Sequence, residues 1–309
     1  MRRQDASRLA ESFHGVLPRR ALRDLGVDHR MVRREVAAGR WRLHGRQTVA
    51  LHTGPLDAYA LGWRAIWEVG EDVAVLDGVS ALRAAGMTGF DEDRIHVSVV
   101  HRHDIEPVPG VVIHKLIRRS PVDLAPSGVP RARPAVAAIH AAHWAVTDRQ
   151  AALILCLPVQ QRLCSGAHLL RARRSVHGRT RRAFIDGVVR DIADGAESLG
   201  ELDFAGWCRI RGLPEPERQV LARGPNGRIY LDVRWRNGLV VEVDGSGHRQ
   251  GLSVADDNLR ANAVTLADDT VLRIDLVGLR LFGATFLDQV YAGWQLCESR
   301  RWVAVAGSR

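Results

Sequence analysis

The chain has 309 residues, 46% of them hydrophobic and 26% charged, which excludes a disordered polyelectrolyte and leaves length for two or three cores. No apolar run reaches the roughly 18 residues of a membrane span, so no membrane partner is expected. Of 44 basic residues one, Lys115, is lysine, and the formal net charge is +9.

The charge is uneven. Residues 1–56 carry 12 arginines against 5 acids, residues 57–196 carry 18 basic against 15 acidic, and residues 197–309 carry 14 against 15. Positive charge is therefore concentrated at the front, where it attracts phosphate backbone. The opening MRRQDASRLAESFHG has no apolar stretch behind its arginines and does not read as a secretory signal. Cys156, Cys164, Cys208 and Cys297 are scattered, with no CxxC pair, and read as reduced thiols of a cytoplasmic protein.

Three parts follow in chain order: 1–56, 57–196 and 197–309. In the first, Leu17, Ala21, Leu22 and Leu25 have helical spacing up to Gly26. Asp28 then caps a second helix, HRMVRREVAAG, with Val32 and Val36 inward. Two helices across a short turn, then extended pieces around Gly45 within Arg40–Leu51, predict a winged helix-turn-helix. Arg30, Arg33, Arg34, Arg40 and Arg42 are its candidate DNA contacts.

The middle part predicts a mixed α/β region: a helix over Ala58–Val69, strands at Val73–Leu76, Ile95–Val100 and Val111–Ile113, and mostly helix from Arg133 to Gly195. Six arginines fall within Arg171–Arg182, read either as a solvated linker or helix end, or as a second phosphate-contacting surface. His101, His103, His140, His143 and His177 are too dispersed in sequence to argue as ligands.

The last part predicts a helix at Glu201–Gly212, a strand after LPEPERQV, strands Arg228–Trp235 and Leu239–Gly245, a helix Val254–Asp268, a strand Val271–Leu276 and a helix Ala284–Ser299. That order outlines an α/β/α sandwich. A two-residue loop at Asn237–Gly238 would pair Asp232 with Val243. A three-residue loop, with Gly238 in the left-handed position, sets Asp232 opposite Glu242 and is the version expected. Asp232, Glu242 and Asp244 then share one face, and oxygen donors of this kind suit Mg²⁺ or Mn²⁺. Acids near a turn can also serve to keep an edge strand soluble, but Leu239, Val240, Val241 and Val243 around Glu242 argue for a central strand.

The run LVVEVDGSGH, with the preceding strand aspartate and the following DDNLRANAVTL and VLRIDL, resembles a small nuclease-like domain of actinobacterial proteins (domain of unknown function 559). That domain is similar to very-short-patch-repair endonucleases of the PD-(D/E)XK superfamily, which have a restriction-endonuclease-like α/β/α sandwich. GVLPRRALRDLGV through REVAAGRWRLH resembles the winged-helix N-terminus of abortive-infection type IV antitoxins.

The resemblance implies Asp232 and Glu242 as metal ligands, with Glu201 as an added ligand, and Asp244 where the motif's lysine stands. It implies His248 as the histidine that works on the attacking water, and Asp257, Arg260 and Arg273 as supporting residues. Residues 197–309 hold no lysine, a departure from the superfamily that the short-patch-repair branch shares. The function implied is a Mg²⁺- or Mn²⁺-dependent DNA endonuclease. The alternatives are a DNA-binding regulator with an inactive nuclease fold, or a protein acting through a toxin or antitoxin partner.

Overall fold

The computed structural model describes residues 2–101, 104–193, 203–223, 229–244, 255, 258–259, 262 and 271–306. The chain is a mixed α/β protein with small sheets, and it divides into two compact units, Met1–Ala141 and Ala142–Arg309. Among the described residues no helix is long and apolar enough to cross a membrane.

The first unit opens with α1 (Arg2–Glu11), β1 (Val16–Pro18), α2 (Arg19–Asp24) and α3 (His29–Ala37), followed by β2 (Arg42–Leu43) and β3 (Thr48–Ala50). The strands form an antiparallel sheet in the order β1-β3-β2. Asp28 Oδ1 accepts from Met31 N at 2.8 Å, the cap expected for α3, worth about 1 kcal/mol. The sequence reading assigned no helix to α1. It buries Ala6 and Ala10 against Leu17, Leu22, Val32, Trp41 and Val49, and two alanines make a weak periodic signal.

Beyond this lie α4 (Ala58–Val69), β4 (Val75–Leu76), α5 (Gly78–Ala84), β5 (Ile95–Val100), β6 (Val111–Leu116) and α6 (Pro134–Trp144), the unit boundary falling inside α6. α4 and β5 have the predicted bounds. Strand β4 is shorter than predicted, and β6 runs three residues further. The sheet order is β4-β5-β6, with β5 and β6 parallel and Ser98 beside His114.

The second unit begins with helices α7 (Asp148–Gln160), α8 (Gly166–Ser175), α9 (Arg182–Ala193) and α10 (Phe204–Ile210). Strands β7 (Arg218–Arg223), β8 (Ile229–Arg234), β9 (Val240–Asp244) and β10 (Val271–Asp275) follow, then α11 (Leu276–Ala306), with a non-helical residue at Phe282. The sheet order is β10-β9-β8-β7, a β7-β8-β9 meander with β10 parallel to β9. The last helix thus starts eight residues earlier than predicted. Of the helix predicted over Val254–Asp268, positions 255, 258–259 and 262 are helical and the remainder lies outside the described residues.

The sheet's alternation sorts its residues. Leu231, Val233, Val241, Val243, Leu272 and Ile274 enter one core with Phe204, Cys208 and Phe286. Asp232, Glu242, Asp244, Arg273 and Asp275, at the intervening positions, are left to the opposite face.

Candidate functional site

The β8–β9 connection sets the register of the acids. Gly238 N donates to Trp235 O and Trp235 N to Leu239 O, each at 3.1 Å, and Gly238 has φ +94°. This is the three-residue loop with its left-handed glycine. Asp232 accordingly pairs with Glu242, and Tyr230 with Asp244. Asn237 holds the loop through Nδ2 to Trp294 O at 3.0 Å, and Trp235 Nε1 reaches Pro214 O at 2.8 Å.

Each opposed carboxylate has an arginine on the same face. Asp232, whose side chain is 9% exposed, receives Arg234 Nε at 3.1 Å on both oxygens and Arg234 Nη2 at 3.0 Å. Glu242 Oε2 receives Arg273 Nε at 3.4 Å. The apolar neighbours of Arg273 in VLRIDL predict an interior strand. Its strand β10 ends the sheet order, and its side chain is 70% exposed. What is fixed is its backbone: Asn262 Oδ1 accepts from Arg273 N at 2.9 Å, and Asn262 Nδ2 donates to Arg273 O at 2.8 Å.

The sequence reading missed Asp275, which ends β10 beside Asp244. Its Oδ1 accepts from Gly278 N at 2.6 Å, capping the start of α11. Burial pushes its carboxyl above the ordinary aspartate range and the neighbouring Asp244 adds to the rise, while the Gly278 N–H and the Asn258 amide oppose it. The IDL of VLRIDL carries this signal, an acid at a strand end just before a helix, but an acid ahead of a helix is also what an ordinary N-cap looks like, as at Asp28 and Asp57.

Among the described residues, no three His, Cys, Asp or Glu side chains are placed to hold a metal ion. Glu201, His248, Asp257 and Arg260 lie outside the described residues.

In the first unit, Arg30 and Arg33 are exposed on α3, and Arg42 is exposed on β2. Arg34 and Arg40 are engaged with Glu35, at 3.8 and 2.6 Å, and Arg3 approaches the same carboxylate at 3.6 Å. Arg40's hydrogen bond holds the Glu35 carboxyl below the usual glutamate range. A second unforeseen carboxylate, Glu68 on α4, accepts from the backbone N–H of Arg46, Gln47 and Thr48 at 2.7–2.9 Å and from Thr48 Oγ1 at 2.7 Å. A Cβ at Gly45 would fall 2.3 Å from its carboxyl carbon.

Of the five central histidines read as dispersed, His103 lies outside the described residues and His140 has a buried carboxylate partner, while His96 and His114, which the sequence reading did not single out, meet each other. His140 Nδ1 lies 3.0 Å from both oxygens of Asp77, whose side chain is 1% exposed, and His96 Nδ1 lies 3.0 Å from His114 Nε2. Burial opposes ionisation of Asp77. Its attraction to His140, together with hydrogen bonds from His140, Ser98 and Gly78, outweighs burial and holds the carboxyl below its ordinary value. Burial pulls His114 from 6.5 down to about 4, and lowers His96 as well. Partners 63 and 18 positions apart leave no local sequence signal.

Comparison with known proteins returns no match, either to a family model or to a curated protein.

Proposed function

We propose that the chain is a metal-dependent DNA endonuclease. An N-terminal winged helix-turn-helix (1–56) and an α/β middle part (57–196) would precede a restriction-endonuclease-like domain (197–309). The observation that carries this reading is the register of β8 and β9: Asp232 opposite Glu242, with Asp244 on the same face of a central strand. The donors are all oxygen, which fits Mg²⁺ or Mn²⁺ in kind. Burial chiefly, and the adjacent Asp244 in addition, raise the Asp275 pKa, an electrostatic condition that a cation would relieve.

In this reading Asp232 and Glu242, with Asp244 and Glu201, are the residues that would hold the cation. His248 takes a proton from the attacking water, the role that the motif lysine would otherwise share. Such a cation, when held there, would supply charge stabilisation to phosphodiester hydrolysis. Arg30, Arg33 and Arg42 contact the phosphate backbone, while Arg34 and Arg40 act through Glu35 to shape the end of α3.

One observation favours a second reading, a DNA-binding regulator or antitoxin-like protein with a silent nuclease fold. Arg234 and Arg273 neutralise the two carboxylates from within the sheet, as in a purely structural ion-pair set. Nicking of supercoiled plasmid in Mg²⁺ or Mn²⁺ separates the two. The endonuclease reading expects cleavage by the wild type and none by Asp232→Ala, with DNA affinity unchanged. Equal binding and no cleavage by either protein makes the regulator the better account.

A further inference from the structure

The second unit has its own concentration of positive charge. Residues 148–193 contain nine arginines and three aspartates, and every one of those aspartates is engaged by an arginine. Arg181 Nε meets Asp148 Oδ1 at 2.8 Å. Arg173 grips Asp186 with Nε at 2.6 Å and Nη2 at 3.2 Å. Arg280 of α11 grips Asp191 with Nε at 2.7 Å and Nη2 at 3.1 Å. No carboxylate of this segment is left over to neutralise the remaining arginines.

The six arginines of Arg171–Arg182 therefore fall into two sets. Arg173 and Arg181 are structural. Arg171, Arg174, Arg179 and Arg182 are exposed and make no ion pair or side-chain hydrogen bond among the described residues. They crowd one end of the α8–α9 hairpin: Arg171 and Arg174 share a helix face in the last turns of α8, Arg179 sits in the connection, and Arg182 starts α9.

The loop that presents them is pinned from beneath. His143 Nδ1 bonds Thr180 O at 2.6 Å, Arg181 Nη2 bonds Val146 O at 2.6 Å, and Arg173 Nη1 bonds Val176 O at 3.0 Å. A Cβ at Gly178 would lie 2.4 Å from the His143 ring, so the backbone lies directly on that ring. Four guanidinium groups gathered at this end of the hairpin with no carboxylate partner among the described residues complement an anionic polymer with regularly spaced charges.

We infer that Arg171, Arg174, Arg179 and Arg182 form a second DNA-docking surface, contacting the phosphate backbone of a duplex independently of the N-terminal arginines. The inference rests on DNA being the protein's partner, as proposed above, and adds where the second unit holds it. The hairpin is joined to the carboxylate-bearing sheet through α11, which packs on α9 and continues directly from β10. Backbone contacts made there fix the register of a duplex on this unit without reading its sequence.

The test uses the full chain and a short fluorescent duplex, with anisotropy titrations at several salt concentrations. The proteins compared are the wild type, R171Q/R174Q/R179Q/R182Q and R30Q/R33Q. Each lost phosphate contact removes about 0.9 from the slope of log K against log salt. The quadruple variant is expected to lower the slope by about 3–4 and to weaken binding about 10- to 100-fold at low salt, with unchanged melting. Its effect adds to that of R30Q/R33Q. Wild-type affinity and slope in the quadruple variant, with R30Q/R33Q weakened, overturn the second surface and leave the proposed function standing. A wild type that binds no duplex at any salt overturns both. Tighter binding to phosphatidylserine vesicles than to duplex, lost in the quadruple variant, assigns the patch to a membrane surface and overturns the inference.

Discussion

The buried and half-buried carboxylates of the first unit sit among donors, whereas those on one face of the second unit's sheet have donors and also lie beside each other. Glu35 is met by three arginines, Glu68 by three backbone amides and a hydroxyl, and Asp77 by His140, Ser98 and Gly78. In the second unit Asp275 abuts Asp244 in register, and Asp232 and Glu242 face each other with one arginine apiece. Two buried aspartates consequently move in opposite directions, Asp77 below its ordinary pKa and Asp275 above it. Burial opposes ionisation in both cases; at Asp77 the attraction to His140 and the hydrogen bonds from His140, Ser98 and Gly78 outweigh it, whereas at Asp275 the Gly278 N–H and the Asn258 amide do not. A carboxylate surrounded by donors is a strut. Carboxylates set beside one another depend on the arginines of their own face, Arg234 and Arg273, for compensation, and the proposed cation would take over that part.

The largest effect that sharpens this contrast is chemical. Asp232→Ala is expected to reduce plasmid nicking by about 10³-fold or more while leaving duplex affinity intact. Undiminished nicking in this variant would remove the carboxylate face from the reaction. Next comes stability in the first unit. Asp77→Ala strands His140, the Ser98 hydroxyl and the Gly78 N–H together, and should cost about 2–4 kcal/mol in urea unfolding. An unchanged urea midpoint would mean that the donors around Asp77 stabilise nothing.

The pH dependence of the two units should differ in sign. His114 is held neutral in the fold, so the unfolded chain takes up its proton first as pH falls from 6.5 toward about 4. First-unit stability is therefore full above 6.5 and declines across that window. His114→Gln should flatten the decline, and an unaltered acid slope in that variant would assign it elsewhere. Asp275 behaves in reverse: its raised pKa favours folding while the group is protonated, and that contribution is lost as pH rises through the folded value. The smallest expected change is a rise in melting temperature for Asp275→Asn at neutral pH without added metal, since asparagine keeps the cap acceptor for Gly278 N and removes the charge. A lower melting temperature in that variant would show that the aspartate is satisfied where it stands.

What was legible in the sequence was local. Asp28 before an amphipathic run announced α3, the apolar spacing of Ala58–Val69 announced α4, and Asn237–Gly238 between two β-prone runs announced the loop that sets Asp232 opposite Glu242. Each of those signals spans a few residues, and the period-two rule carries it across the sheet. The features that escaped depend on distant partners. Glu68 reaches back 20–22 positions, Asp77 and His140 are 63 apart, and Arg280 finds Asp191 across 89. Arg273 was misplaced for a related reason: the apolar neighbours of VLRIDL report one buried face, and they do not report that the strand lies at the end of the sheet order. The arginine-rich run shows the same limit. Composition marked it, but nothing in its spacing separated the two arginines that brace the fold from the four that are free to meet a partner.

Glu68 has one more consequence. Because its carboxylate gathers the amides of Arg46, Gln47 and Thr48, the turn between β2 and β3 and the first residue of β3 are tied to α4 as well as to their own strands. Mechanically the turn couples that helix to the sheet. A rotation of α4 would therefore be felt at once in the sheet, at Thr48 where β3 pairs with Pro18 of β1, and in the Arg46–Glu106 ion pair.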